Sequence, residues 1–270
     1  MPNDLKAELE AALSLAETAA EYARGEYGKF VAIPDAPVTI STHVDRGVQE
    51  MLLTALRRRF PTDAVLAEED TPAAKDSPDS DRCWVVDPID GTRGFAMKTG
   101  EFSIMIGLTI RNRVVLGVVA EPVQRRVTYA TIGGGCWASG NGEPAMPCRV
   151  RTTANLAEAI LTQSRSKPGG KHMPVVTALK PASVVETFSA GVKLALVARG
   201  EVDCYVNDYS GFNDWDICAG DILVTEAGGE TCSFNGEPIA YGRTTGPKQR
   251  GLIACTPGLH VPILSAIQGL

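Results

Sequence analysis

The sequence is poor in the residues that mark several common protein classes. Only three of its 270 residues are histidine: His43, His172 and His260. They lie far apart and without zinc-ligand spacing, so no zinc site is expected. The seven cysteines (83, 136, 148, 204, 218, 232, 255) contain no CxxC and are odd in number. That argues against a disulfide framework and for reduced, buried thiols. No stretch approaches the roughly 18 unbroken apolar residues of a membrane span. The first ten residues lack an apolar segment, so no secretory signal peptide is expected. Positive charge is also scarce. Lys and Arg number 26 against 32 Asp and Glu, a net charge of −6, which disfavours a general nucleic-acid binder. These absences predict a cytoplasmic protein with neither membrane nor nucleic acid as partner.

The chain is 44% hydrophobic and 21% charged, ordinary globular usage that excludes disorder, collagen and coiled coil. Its length suits one large domain or two intimate ones. Leu5, Leu9, Ala12, Ala16, Ala19 and Ala23 predict an amphipathic helix over residues 4–24, ended by Gly25. Val48, Met51, Leu52, Ala55 and Leu56 predict a second. A short strand at residues 64–67 runs into Glu68, Glu69 and Asp70, and residues 71–81 read as a loop. A buried strand at 83–86 is expected to stop at Asp87-Pro88. Strands follow at 102–110, 114–120 and 125–131, with Arg111-Asn112-Arg113 as a tight turn. Residues 133–147 read as a Gly- and Pro-rich loop. They form the expected boundary between an N-terminal α+β sub-domain (1–147) and a C-terminal α/β sub-domain (148–270) of one compact unit. In the second half, strands are predicted at 160–163, 184–188, 202–206 and 252–255. Helices are predicted at 191–198, at 214–227 before Gly228-Gly229, and from Pro257 onward. This mixed α/β order suggests layered helices and sheets rather than a simple doubly wound fold.

The informative stretch is Trp84-Val85-Val86-Asp87-Pro88-Ile89-Asp90-Gly91-Thr92. An apolar strand delivers two carboxylates three residues apart. Pro88 fixes one backbone angle and Gly91 permits an unusual one. Asp87, Asp90 and the Ile89 carbonyl are hard oxygen ligands suited to Mg²⁺. Gly91 and Thr92 offer backbone N–H groups at a turn, a cradle for phosphate oxygens. The bland alternative is a solvated turn, since Asp, Pro and Gly dominate turns. Glu68 at a preceding strand end and Asp216 opening a helix weaken that alternative, although Asp216 alone reads equally as a helix cap.

These segments resemble the inositol-monophosphatase superfamily of Mg²⁺-dependent, lithium-sensitive phosphatases. The matching pieces are Ala67-Glu68-Glu69-Asp70, Asp87-Pro88-Ile89-Asp90-Gly91-Thr92 and Trp215-Asp216, with Glu226-Ala227-Gly228-Gly229 closing the helix. They occur in the family's order from about Thr42 to about Gly229. The resemblance implies an αβαβα sandwich and hydrolysis of a small phosphate ester with two or three Mg²⁺ ions, Li⁺ inhibiting. It implies Glu68, Asp87, Asp90, Asp216 and the Ile89 carbonyl as metal ligands, with Glu68, Thr92 and an Asp near the second helix activating water. Two alignments compete for that Asp. One places Thr42 there, and the other, preferred for its spacing, places Asp45. A homodimer is left open.

Arg93-Gly94-Phe95, Gly100-Glu101-Phe102-Ser103, Ser164-Arg165-Ser166 and Ser189-Ala190-Gly191-Val192-Lys193 resemble the 3′(2′),5′-bisphosphate nucleotidase (CysQ-type) branch. Inositol monophosphatases usually read G-T-x-N-F after the aspartates. This likeness implies Gly91, Thr92, Arg93, Ser189, Lys193 and Asp216 as substrate contacts and adenosine 3′,5′-bisphosphate as substrate. Arg93 and Lys193 read otherwise as solvated cations, and Phe95, Phe102 and Trp215 as core. The sequence departs from the branch after Tyr205. Val206, Asn207 and Asp208 follow where an Arg is common, and Asp208 would repel a second phosphate. Inositol, histidinol and fructose phosphates therefore stay open as substrates, as does a non-catalytic metal-binding member of the family.

Overall fold

The computed structural model describes residues 5–165, 174–242 and 251–270. Ser166, from the Ser164-Arg165-Ser166 likeness, lies outside them. Two helices come first, α1 (Lys6–Lys29) and α2 (His43–Arg59). A seven-stranded sheet follows in simple order: β1 (Ala64–Ala67), β2 (Arg82–Asp90), β3 (Ser103–Ile110), β4 (Arg113–Glu121), β5 (Arg126–Thr131), β6 (Gly135–Gly140) and β7 (Met146–Pro147). Only β1 and β2 run parallel; the remaining pairs are antiparallel. The short helix α3 (Thr92–Ala96) leaves the end of β2.

Among the described residues, the second half builds a five-stranded sheet and four α-helices. Its elements are β8 (Ile160–Ser164), α4 (Pro174–Leu179), β9 (Ser183–Thr187), α5 (Ala190–Ala198), β10 (Cys204–Asn207), α6 (Asp214–Glu226), β11 (Glu230–Cys232), β12 (Leu252–Cys255) and α7 (Pro257–Ala266). The strand order is β11-β12-β10-β8-β9. One core packs α1 and α2 against the large sheet. A second packs α5 and α6 between the two sheets. A third packs α4 and α7 on the far face of the small sheet. The layers are therefore α, β, α, β, α, as expected from the resemblance.

Several local expectations differ from the structure, each for a physical reason. The first helix continues through Gly25 and Gly28 to Lys29. Glycine in an exposed helix costs only about 1 kcal/mol against Ala, and the extension carries Tyr27 and Phe30 onto Phe95 and Phe102. The second strand does not stop at Asp87-Pro88. It runs to Asp90 through a register shift between Asp87 and Asp90, and such a bulge tolerates a proline that has no N–H for the ladder. Residues 133–147 are not all loop. Cross-strand pairs such as Tyr129 with Trp137 draw the Gly-rich segment into β6, and β7 follows. Tertiary pairing there outweighs the low strand propensity of glycine.

The central layer is close-packed. A Cβ added at Gly117 of β4 would stand 2.2 Å from the Ala219 carbonyl oxygen of α6. Only glycine lets this helix lie so near the sheet. The closeness fixes the height of Asp216, at the start of α6, relative to the carboxylates at the end of β2.

Candidate active site

Parallel pairing of β1 with β2, Ala67 against Val86, brings their C-terminal ends together. Glu68 thus follows β1 beside Asp87. Asp87 is 2% exposed and its Oδ1 has no hydrogen-bond partner. Glu68 and Asp87 are close enough for each to govern the other's ionisation. Two neighbouring carboxyls disfavour each other's charged form. Burial first, then repulsion from surrounding carboxylates, raises both pKa values.

After the bulge, Gly91 takes φ +86° and turns the chain into α3. A Cβ there would meet the Glu101 carbonyl at 2.8 Å. The turn aims Thr92 back across the strand end. Its hydroxyl lies 2.8 Å from Asp45 Oδ1 and 2.9 Å from the Ile89 carbonyl, both acceptors. Asp45 sits in the first turn of α2 and is fully buried. Its Oδ2 accepts from the Thr42 N–H at 3.0 Å and the Thr42 hydroxyl at 2.5 Å, a capping box. Burial raises the Asp45 pKa against these hydrogen bonds. The geometry therefore puts Asp45, not Thr42, against Thr92, with Thr42 as the group that orients Asp45.

Asp90 faces the central layer. Its Oδ1 accepts from the Ala190 N–H at 3.1 Å. Its Oδ2 accepts from the Gly191 N–H at 2.6 Å, from the Ser103 hydroxyl at 3.2 Å and from the Ser189 hydroxyl. Asp90 thereby serves the start of α5, where an anion complements exposed N–H groups and the helix dipole. Asp216 occupies the equivalent place in α6, its Oδ2 accepting from the Asn213 N–H at 2.5 Å. Burial pushes the Asp216 pKa up to about 7, and the Asp90 charge adds to this.

The cation candidates differ in kind. Lys193 is 1% exposed. Its Nζ donates to the carbonyls of Thr187 at 3.1 Å and Phe188 at 3.3 Å, and lies 5.2 Å from the Tyr205 ring centre. Burial lowers its pKa to about 8, with Asp90 and Glu101 opposing. Lys193 is therefore not a solvated helix residue. Arg93 donates from Nε to the Ala36 carbonyl at 2.7 Å and stands over Phe188 at 5.4 Å. Arg165, which the resemblance touched but no role was given, pairs with Glu101 and stands over the same ring at 5.7 Å.

These residues line a cleft of about 770 Å³. Its wall holds Glu68, Asp87, Ile89, Asp90, Gly91, Thr92, Arg93, Lys193 and Asp216, together with Arg165 and Phe188. Ser189 is not on that wall. It is fully buried, and its hydroxyl caps α5 by accepting from the Val192 N–H at 2.9 Å. Asp45 is reached through Thr92. Two hollows of comparable size lie elsewhere, one against α1 and β5, one on the outer face of α2. Neither holds a buried carboxylate without a partner: Glu121, the one buried acid on the first, pairs with Arg126 and Arg199. Sequence reasoning missed Phe188, the platform under both arginines. Its only signal was its place at a strand end just before the cap residue Ser189. Phe95 and Phe102 are core, as their bland reading had it, and pack edge-on with centroids 5.1 Å apart.

The donor set fits a hard divalent cation. Several carboxylates share one cleft with raised pKa values and an orphaned buried oxygen, the condition of an anionic site short of positive charge. Among the described residues no three acidic, histidine or cysteine groups are already gathered round one point as a metal cluster. Protein donors satisfy Asp90, Asp216 and Asp45 instead. Asp90 Oδ1, with one N–H bond, keeps a lone pair free. No helix among the described residues is long and apolar enough to cross a membrane.

Comparison with known proteins places the arrangement. A family model described as the inositol monophosphatase family matches residues 4–269. A protein named Nus factor SuhB from Pasteurella multocida is 32% identical, over 84% of this chain and 82% of its own length. A probable 3′(2′),5′-bisphosphate nucleotidase 4 from Arabidopsis thaliana is 31% identical, over 70% of this chain and 59% of its own length. The structure of inositol monophosphatase from Anabaena (Nostoc) sp. PCC 7120 superposes with a TM-score of 0.80 at 25% identity. It covers 99% of this chain and 98% of that one.

Proposed function

Because the chain belongs to the inositol monophosphatase family and is a phosphatase of that kind, we propose that it is a Mg²⁺-dependent phosphate monoester hydrolase acting on a small bisphosphorylated nucleotide, adenosine 3′,5′-bisphosphate, and removing its 3′-phosphate. The observation that carries the metal-dependent hydrolase reading is the orphaned Asp87 Oδ1 in a cleft of uncompensated carboxyls. Glu68, Asp87, the Ile89 carbonyl, Asp90 and Asp216 would hold two or three ions. Bound there, Mg²⁺ supplies the positive charge that acidifies water and neutralises the phosphate oxygens and the departing alkoxide.

The chain's own residues do the remaining work. Thr92 Oγ1 commits its one proton to Asp45 and Ile89, so its lone pairs face the cleft as acceptors. A water held there loses a proton to Thr92 Oγ1 as Thr92 passes its own to Asp45 Oδ1. A threonine hydroxyl alone is too weak a base, and Asp45, its pKa raised by burial, is the better for the task. The Gly91 and Thr92 N–H groups orient the transferring phosphate. Such positioning, rather than covalent participation, is what phosphoryl transfer demands.

The nucleotide reading is supported by Arg93 and Arg165, which stand over Phe188 on one cleft wall; Glu101 pairs with Arg165, so the wall's net positive charge comes from Arg93. Asp208 on the same cleft favours a second reading, an inositol or other sugar phosphate whose neutral hydroxyls a carboxylate can accept from. The test is phosphate release with Mg²⁺ from adenosine 3′,5′-bisphosphate, inositol 1-phosphate, histidinol phosphate and fructose 1,6-bisphosphate, each with and without EDTA. Preference for the nucleotide is expected. Preference for another ester keeps the hydrolytic site and removes the nucleotide. No release from any of them supports a non-catalytic metal-binding protein.

A further inference from the structure

Cys136 lies in β6 and Cys148 just beyond β7, far from the cleft. The register of these strands, Trp137 against Pro147 and Ala138 against Met146, puts residue 136 directly opposite residue 148. The Cys148 N–H donates to the Cys136 carbonyl at 2.8 Å. Opposed residues of a hydrogen-bonded antiparallel pair have α-carbons about 5.5 Å apart and share a face. That separation falls inside the roughly 4.4–6.8 Å a disulfide spans. The two thiols influence each other's ionisation, and the Cys148 thiol also reaches the Met146 carbonyl at 4.0 Å. Both are buried, but β7 is two residues long and ends the sheet, so local opening there is easy.

A second, independent feature stands beside them. Arg199, at the end of α5, is 7% exposed at its side chain. Its Nη1 donates to Glu121 Oε1 and Thr128 Oγ1, both at 2.8 Å, and its Nε donates to Glu201 at 2.5 Å. Its Nη2 is buried and has no partner. The guanidinium charge acts on both thiols. A buried donor without an acceptor is costly, and a cation near a thiol favours its thiolate. The thiols are unequal as well. Cys148 follows the edge strand and is 5% exposed, whereas Cys136 is fully covered, and the Arg199 charge favours the Cys148 thiolate.

We propose that Cys136 and Cys148 form an oxidisable dithiol, converted by a hydroperoxide into a cross-strand disulfide at the edge of the large sheet. The Cys148 thiolate attacks the terminal oxygen of the hydroperoxide. The O–O bond breaks, an alcohol or water leaves with a proton, and Cys148 becomes a sulfenic acid. The Cys136 sulfur then attacks the Cys148 sulfur. The S–S bond forms, the S–O bond breaks, and hydroxide leaves as water with the Cys136 proton. Overall, two thiols and one hydroperoxide give one disulfide, one alcohol or water, and one further water. The sulfurs are oxidised and the peroxide oxygens reduced. Cys204 and Cys255 are also opposed in register, between β10 and β12. They lie inside the small sheet, and burial pushes both pKa values up, that of Cys255 to about 12. They form the internal control.

The experiment treats the reduced, folded full chain with hydrogen peroxide or tert-butyl hydroperoxide and maps peptides without reduction. The expected product has lost two hydrogens, links the peptides of residues 136 and 148, and returns to the dithiol with dithiothreitol. Cys136→Ser should stop at a sulfenic acid on Cys148 that dimedone traps. Cys148→Ser should leave Cys136 reduced. Arg199→Gln should slow oxidation several-fold while the fold, followed by circular dichroism, persists. Both serine variants should keep full phosphatase activity, since neither thiol lines the cleft. Linkage of residues 204 and 255 in the wild-type chain, or survival of all seven thiols under peroxide that oxidises the unfolded chain, overturns the proposal.

Discussion

At the scale of single residues, Asp87 and Thr92 make opposite demands. The Asp87 carboxyl is buried beside Glu68 with one oxygen unpartnered, so it costs the metal-free protein stability. Asp87→Asn removes a repelling charge at nearly constant volume. The metal-free variant should melt above the metal-free wild type, while Mg²⁺-dependent phosphate release falls to background and Mg²⁺ no longer raises its melting temperature. Calorimetry with and without Mg²⁺ reads both; a variant that melts lower, or that still turns over, removes Asp87 from the metal site. Thr92 is different, because its hydroxyl bridges Asp45 and Ile89 without bearing charge. Thr92→Ala should lower kcat about 100-fold or more with little change in KM, and Thr92→Ser should recover most of it. Equal loss in both variants would show that the methyl group, not the hydroxyl, matters.

At the scale of elements, the central layer sets the geometry on which those residues depend. At Gly117 the neighbour of an added Cβ is α6 backbone, which cannot swing aside. Gly117→Ala should cost about 1–3 kcal/mol, lowering the melting temperature by roughly 2–12 °C. Unchanged melting would mean that α6 is free to shift. This packing was not legible in the sequence, where Gly117 reads as one residue of an apolar strand. What was legible was whatever local chemistry decides. The aspartates, Pro88, Gly91 and Thr92 sit in one segment and specify their own turn. Helical spacing gave α1 and α2, and strand runs gave β1 through β5. The rest required partners distant in sequence. Pro88 stays in β2 because β3 accommodates a bulge there. The 133–147 segment becomes β6 and β7 because β5 offers an edge. Ser189 resembles a substrate contact in sequence, yet it is drawn under Asp90 because α5 must start where β2 ends.

At the scale of the whole molecule, the cleft couples stability to pH and to metal. Glu68 and Asp216 have ordinary values of 4.5 and 3.8, raised in the fold to about 8 and about 7, and Asp87 and Asp45 are raised as well. Below about pH 4 these groups are protonated in both folded and unfolded chains and contribute nothing. Between about pH 4 and 8 the unfolded chain releases protons that the folded chain retains, so stability falls as pH rises. Above the folded values the full cost of burying the charges is present. Lys193, lowered to about 8, acts in the opposite sense only above that window, where the folded chain loses its proton before the unfolded one does. The metal-free protein should therefore lose a few kcal/mol of unfolding free energy between pH 5 and 8, read by urea titration in EDTA. Mg²⁺ competes with the retained protons for the same carboxylates. Its stabilisation should be small at pH 5 and grow toward pH 8, reaching about 2.7 kcal/mol at a free concentration 100 times its Kd. Calorimetric titration should record proton release on Mg²⁺ binding near pH 7. A metal-free stability that rises across the window, or Mg²⁺ binding without proton release, would mean that the carboxyls are ionised before any cation arrives and that another group balances them.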